Sequence, residues 1–256
     1  MEIRRVLERE EPEFLRVLCT VFDLDHSRAR GIFFKEPLHD ARQNWAVFQD
    51  GIISSILTLT PLHFGWGLSY GISGVATLPD ARRTGLAGEL LSRAMESARA
   101  EGALGFMLFA HQLELYANHG FRPVDRVWRA PLVAGETLDP IVPVSNEEVV
   151  ALYSAWADEH PARLRREEAR WEFWRWSLRT TEAFGGGYIC NESGMFREAI
   201  LREPCSFLPV PAESTWYGLA SLTDNLRIPV LDPVPEMYVM ALDLPDQPQM
   251  FMTDQF

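Results

Sequence analysis

The sequence predicts an α/β (α+β) layer protein, and three observations carry that reading. Strand-like and helix-like segments alternate through residues 1–130, a long amphipathic helix follows directly on an apolar strand near residue 84, and a weaker run of helices and strands follows a proline-rich seam. The 256 residues suffice for one large domain or two modest ones. Hydrophobic residues make up 47% and charged residues 23%, a globular balance that argues against wholesale disorder.

Taken in order, Glu2–Val6 has the pattern of a short strand, and Pro12–Phe22 that of a helix with Phe14, Leu15, Val17, Leu18 and Val21 as its apolar stripe. Trp45–Phe48, Ile52–Leu62 and Tyr70–Leu78 are three strands, the first two joined by a hairpin turn at Gln49-Asp50-Gly51. Thr84–Ala100 is the strongest helix, with Leu86, Leu90, Leu91, Ala94 and Ala98 on one face. Gly105–Ala110 is an apolar strand, Leu113–Asn118 a short helix and Phe121–Trp128 a closing strand.

The seam lies in residues 130–143, which hold three prolines and a glycine without periodicity, and it divides the chain into 1–135 and 136–256. Beyond it Glu147–Trp156 and Ala162–Leu178 read as helices, the second with Leu164, Trp171, Trp174 and Leu178 on one side. Tyr188–Cys190 and Met195–Leu201 flank a turn at Asn191-Glu-Ser-Gly194, and Met237–Leu242 and Met250–Met252 are late strands. Trp171, Trp174 and Trp176 are spaced as core aromatics, with an acceptor cage as the rarer alternative.

The net charge of −12 is unevenly spread: residues 1–135 carry 15 Lys+Arg against 16 Asp+Glu, and residues 136–256 carry 9 against 20. A nucleic-acid binder normally shows a basic face, so that class is disfavoured, while an acidic second half suits a cationic partner. No stretch approaches the roughly 20 uninterrupted apolar residues of a membrane helix. The N-terminal residues show no apolar run after their arginines, so neither a membrane partner nor a secretory leader is expected. Cys19, Cys190 and Cys205 are odd in number, far apart and without ligand spacing, which points to a reducing cytoplasm and to no metal.

The chemistry concentrates at Gly74–Leu91. A strand stops at Pro79, and a loop with Arg82, Arg83, Thr84 and Gly85 runs straight into the amphipathic helix. Exposed N–H groups at a helix start, reinforced by the helix dipole, make an anion site. Gly85 and the small residues Ala87 and Gly88 let the main chain approach a bulky diphosphate, and the two arginines supply charge. An ordinary helix start with solvated arginines would have the same composition. Neither a P-loop nor a G-x-G-x-x-G dinucleotide motif is present.

Arg82-x-x-Gly85-x-Ala87, after the strand Val75-Ala-Thr77 and Pro79, resembles the acetyl-CoA signature of the GNAT superfamily of N-acetyltransferases. Phe106–Phe109 resembles that family's fifth strand, and Tyr116-Ala-Asn-His-Gly-Phe121 its YxxxGF element, so the resemblance spans roughly residues 2–130. It implies a mixed, mostly antiparallel central sheet flanked by helices. It implies acetyl-CoA as co-substrate, its pantetheine arm on the backbone of Val75 and Thr77 and its diphosphate on the amides of Arg83, Thr84, Gly85, Leu86, Ala87 and Gly88 beside Arg82. It further implies that the phenol of Tyr116 protonates the departing thiolate. Many relatives carry a carboxylate base on the fourth strand, and Ser69–Leu78 has none; His63, His111 and His119 are the nearby alternatives. In this fold the acceptor is shaped by the first helical region, here Phe22–Asp40, with His26, Phe33, Phe34 and Trp45 as lining groups.

Leu152–Trp156 and Leu164–Trp171 resemble the middle region of two-part bacterial acetyltransferases such as the enhanced-intracellular-survival aminoglycoside acetyltransferases. That resemblance implies a smaller, degenerate GNAT-like second unit unable to bind CoA. Those relatives bring a terminal phenylalanine carboxylate into the active site, which here implies a catalytic role for Phe256. The function expected is transfer of acetyl from acetyl-CoA to a small-molecule or peptide amine by direct attack. A CoA-binding sensor without turnover and a partner-binding scaffold are the rival classes, the acyl length is open, and a homodimer is left open.

Overall fold

A computed structural model describes residues 1–137, 141–177 and 179–256; residues 138–140 of the seam and Leu178, the expected end of the Ala162–Leu178 helix, lie outside the described residues. The first half runs β1 (Glu2–Arg5), α1 (Glu11–Phe22), α2 (His26–Phe33), β2 (Asn44–Gln49), β3 (Ile52–Phe64), β4 (Gly67–Thr77), α3 (Leu86–Ala100), β5 (Phe106–Ala110), α4 (Glu114–Ala117) and β6 (Arg122–Pro131). The second half runs α5 (Asn146–Asp158), α6 (Glu168–Trp176), β7 (Thr180–Phe184), β8 (Gly187–Glu192), β9 (Met195–Ile200), β10 (Thr215–Leu219), α7 (Ala220–Asn225) and β11 (Val234–Leu242).

All eleven strands belong to one mixed sheet in the order β1-β2-β3-β4-β5-β11-β6-β10-β9-β8-β7. Among the described residues only the strand pairs β4–β5 and β9–β10 are parallel. The expected α/β architecture, a mostly antiparallel mixed sheet flanked by helices, is therefore the one observed. The sheet does not stop at the seam. Late strand β11 lies between β5 and β6, with Val239 opposite both Phe109 and Asp125, and β6 pairs on its other side with β10.

Alternation decides which face each strand side chain joins. Val47 packs with Leu90, Leu91, Ala94 and Ala98 of α3, whereas its neighbours Ala46 and Phe48 pack with Phe14 and Val17 of α1 on the opposite face. Each fully buried leucine of α3 contributes about 1.5–3 kcal/mol. A third core joins the two halves: Leu62 and Phe64 of β3, Met107 of β5 and Val239 of β11 meet Tyr153, Trp156, Leu164, Trp171, Trp174 and Phe251. Of the tryptophan trio, Trp171 and Trp174 are core, and Trp176 is exposed.

The second half repeats an order seen in the first. β7, β8 and β9 are antiparallel neighbours and β10 then lies parallel to β9, as β2, β3 and β4 are followed by parallel β5. In place of α3, residues 201–214 form irregular chain.

Several segments depart from the sequence reading. The expected helix Ala162–Leu178 begins only at Glu168, because Leu164 bridges Phe64 and Arg163 bridges Gln249, pulling this stretch into extended pairing. Met250–Met252 is buried but not a strand; it leads into a 3-10 turn at Met252–Asp254. β7, β10 and α7 have no counterpart in the sequence reading; α2 falls within the helical region Phe22–Asp40, but it buries no residue, so no apolar period marked its bounds.

Candidate active site

β4 and β5 run parallel only from Tyr70 opposite Phe106 to Ile72 opposite Leu108. Beyond Ile72 the strands part, and Ser73–Thr77 offers its backbone to a cleft rather than to β5. The cause is local. The β3–β4 register shifts between Ile56 and Thr58, opposite Ala76 and Ser73, so β4 holds one extra residue there. Gly74 at φ +59° accommodates that bulge, a conformation unfavourable to residues with a Cβ. The cleft, of about 490 Å³, is lined among others by Ser73, Val75, Phe109, His111, Tyr116 and Phe256.

A second concavity of about 680 Å³, sharing Leu115 with the cleft, lies at the start of α3, and its walls include Thr77, Arg82, Arg83, Gly85, Leu86, Ala87 and Gly88. Thr84 sits in the same loop, its hydroxyl donating to Ala81 O at 2.6 Å. Gly85 is the N-cap at φ +86° and supplies no side-chain cap. The first N–H groups of α3 consequently have no intrahelical acceptor and open onto the concavity. Arg82 turns back, its Nε donating to Thr77 O at 3.1 Å, which ties the strand end to the loop. Arg83 holds a left-handed φ of +61°. A Cβ on Gly88 would fall 2.8 Å from the His119 ring, so glycine lets that ring close the far wall. Uncapped amides, two arginines and a wall without side chains suit a diphosphate.

Tyr116, on α4, is half-buried with its ring edge-on to buried Phe121 at 6.1 Å. Burial raises its phenol above the ordinary tyrosine value, so the hydroxyl stays protonated across the physiological range. Among the described residues the phenol has no hydrogen-bond partner, and it faces the splayed cleft. Of the three histidines weighed as bases, His111 lines this cleft but sets Nδ1 3.0 Å from Glu236 O, and His119 lies by the helix start. His63 sits five residues beyond Thr58 on β3, roughly 17 Å along the strand, with Nε2 3.5 Å from Glu167. The structure thus separates His63 from the splay.

Phe256 packs its ring on Phe109 at 5.3 Å between centroids, and a Cβ on Gly71 would lie 2.5 Å from it. The ring forms a partition: it lines the cleft of Tyr116 and also a smaller cavity of about 220 Å³ on the other side of β4. That cavity is walled by Leu18, Phe33, Leu38, Ser73, Gly74 and Glu36, among others. Of the expected acceptor-lining residues, Phe33 is there; His26 is exposed, Phe34 packs on Phe33 and His39, and Trp45 is in the α3 core. Glu36 escaped the sequence reading because it follows α2 in a stretch without periodicity.

A buried ionic cluster sets the position of the tail. Arg166, fully enclosed, donates to both Glu198 oxygens at 2.6 and 3.1 Å and to Asp254 at 2.7–3.1 Å, and its guanidinium stacks over Tyr153 at 3.9 Å. Trp174 Nε1 and the Tyr188 and Thr253 hydroxyls also donate to Glu198. Burial opposes ionisation of Glu198, yet Arg166 and these donors hold it below the usual carboxylate value. Arg170 bonds Asp254 O at 3.3 Å and Pro61 O of β3 at 3.0 Å, so the segment two residues before Phe256 is tied to both halves.

Comparison with known proteins agrees with this geometry. The chain is similar in fold to the crystal structure of a GCN5-related N-acetyltransferase from Kribbella flavida, at 14% identity and a TM-score of 0.73 over 94% of this chain and 71% of that one. A GCN5-related N-acetyltransferase from Anabaena variabilis aligns at 15% identity and 0.67 over 94% and 72%, and Eis1 from Mycobacterium abscessus at 13% and 0.63 over 93% and 73%. No curated protein sequence matches the chain. Residues 2–124, just under half of the chain, match the model of the acetyltransferase (GNAT) domain, and that span holds the bulged β4, the splay and the open start of α3.

Proposed function

We propose that the protein is an N-acetyltransferase that moves acetyl from acetyl-CoA to an amine by direct attack in a ternary complex. The observation that carries the reading is the splayed β4–β5 cleft, which the unbonded phenol of Tyr116 faces and which shares Leu115 with the concavity at the uncapped helix start. In this reading the backbone of Val75 and Thr77 orients the pantetheine arm. Arg82, Arg83, Thr84, Gly85, Leu86, Ala87 and Gly88 receive the diphosphate, and Tyr116 gives its proton to the departing sulfur. Such a positioned acid is worth about 10²–10⁴-fold.

Residues 1–135 would hold the donor, and 136–256, as a degenerate GNAT-like unit, would complete the sheet through β11 and wall the acceptor side. Phe256 would divide donor from acceptor; deleting it, or extending the chain beyond it, is expected to lower turnover. The test is acetyl-CoA-dependent thiol release over an amine panel. Turnover supports an enzyme; acetyl-CoA binding without thiol release on any amine supports a sensor instead.

A further inference from the structure

The cavity of about 220 Å³ beside Phe256 is where the acceptor would wait, since Ser73, Gly74 and Phe256 line both it and the cleft on the thioester side. Its polar groups are mostly engaged. Asp40 is held by Arg42, whose guanidinium donates at 2.7–3.0 Å. Glu11, at the start of α1, sets Oε1 2.8 Å from His39 Nε2, and Asn44 Oδ1 accepts from Thr58 at 2.8 Å. Among the described residues Glu36 has neither a hydrogen bond nor an ion pair on its side-chain carboxylate, whereas Asp40, the other acidic side chain of the cavity wall, is paired. Glu36 stands among the apolar walls of Leu18, Phe33, Leu38 and Phe256.

We propose that Glu36 seats the ammonium of the acceptor and takes its proton, and that the acceptor is a single primary ammonium on a short apolar stem. Size supports the stem. At about 220 Å³ the cavity falls below the roughly 300 Å³ at which pockets for drug-sized ligands begin. Charge supports the single ammonium, because Asp40, the other acidic side chain of the wall, is already held by Arg42. Burial supports the proton transfer. It raises Glu36 above the usual carboxylate value, while His39 on the same loop and Arg170 of α6 pull it down only in part, so the carboxylate is a stronger base than an exposed one. The other ionisable groups around it are Glu11, Asp40 and the Phe256 carboxylate.

The step balances. One ammonium N–H bond breaks as its proton joins a Glu36 oxygen, and the freed lone pair attacks the thioester carbonyl carbon. The C–N bond forms, the C–S bond breaks, and the sulfur takes the phenolic proton of Tyr116. After attack the nitrogen still carries two N–H bonds and gives up one as the amide forms; that proton replaces the one Tyr116 donated, and Glu36 loses its own to solvent, so each turnover yields an N-acetyl amine, CoA thiol and one released proton.

This inference rests on the transferase reading, and one experiment separates the two. Thiol release is measured with n-hexylamine, a peptide carrying one internal lysine, spermine and neomycin, on the wild type, Glu36→Gln and Glu36→Asp, alongside acetyl-CoA binding by calorimetry. The expected result is turnover of hexylamine, the lysine peptide or both, at kcat/KM at least tenfold above spermine and neomycin. The hexylamine and peptide arms distinguish a free alkylamine from a protein side chain. Glu36→Gln should lose about 10²-fold or more in kcat/KM together with the acid limb of its pH profile, Glu36→Asp should restore part of both, and acetyl-CoA affinity should stay within threefold. A Glu36→Gln enzyme within threefold of wild type with its acid limb intact overturns the proposal alone, as does preference for spermine or neomycin, whereas silence on all four amines with acetyl-CoA still bound overturns the proposal and counts for the sensor against the transferase. Failure to bind acetyl-CoA overturns the transferase reading itself.

Discussion

Burial keeps the Tyr116 phenol protonated without lending it to any neighbour, so its removal should touch chemistry more than folding. Tyr116→Phe is expected to lower kcat at least tenfold and up to about 10⁴-fold, with acetyl-CoA affinity and melting temperature near wild type. Gly85→Glu combines a side chain forced to φ +86° with a negative charge at the open helix start. It should weaken acetyl-CoA binding in calorimetry by 100-fold or more. At the far end of the sheet, Arg4 donates to both Glu10 oxygens at 2.7 and 2.9 Å and holds that carboxyl at about 2. Its folded value is depressed, so the stabilisation is present above the usual 4.5 and lost as pH falls toward 2. Melting temperatures measured over that window should fall less steeply in Glu10→Gln than in wild type.

At the scale of elements, the extended stretch before α6 and the 3-10 turn before Phe256 are held by one buried guanidinium. Replacing Arg166 with Met would leave Glu198 and Asp254 enclosed without their cation, a change costing about 3–5 kcal/mol. In a chain of this size that corresponds to a fall in melting temperature of roughly 6–20 °C, readable by calorimetry. Hairpin β7–β8 turns on Gly185-Gly186, a two-residue pair as favourable to a tight turn as the Asp50-Gly51 that the sequence reading did use. The signal for β7 was therefore present; the assumption that helix continued to Leu178 hid it. By contrast α2 offered no signal beyond its Asp25 cap, which accepts from Arg28 N at 2.7 Å.

For the whole molecule, β11 is the decisive element. Residues 1–135 alone would leave β5 and β6 facing each other across an empty strand position, with Met107, Phe109 and Val127 stripped of their β11 partners. A fragment of residues 1–135 is expected to show no cooperative thermal transition by circular dichroism. Mixing it with residues 136–256 should restore one along with acetyl-CoA binding. No helix among the described residues is long and apolar enough to cross a membrane.

What the amino-acid order determined by itself is what short-range physics encodes. The apolar period of α3, the two-residue turns at Asp50-Gly51 and Ser193-Gly194, and the Arg82–Gly88 helix start each lie within one turn or one helix, and each was legible for that reason. The tertiary structure decided what depends on partners far along the chain. The alternation of Val234–Leu242 marks a strand but says nothing of its place between β5 and β6. No local pattern near Arg166 names Glu198 or Asp254 as its partners. Glu36 became a candidate only when folding set its loop against the bulge at Gly74 and the ring of Phe256. Period and capping are properties of a segment, whereas burial and pairing belong to the surfaces that segments share.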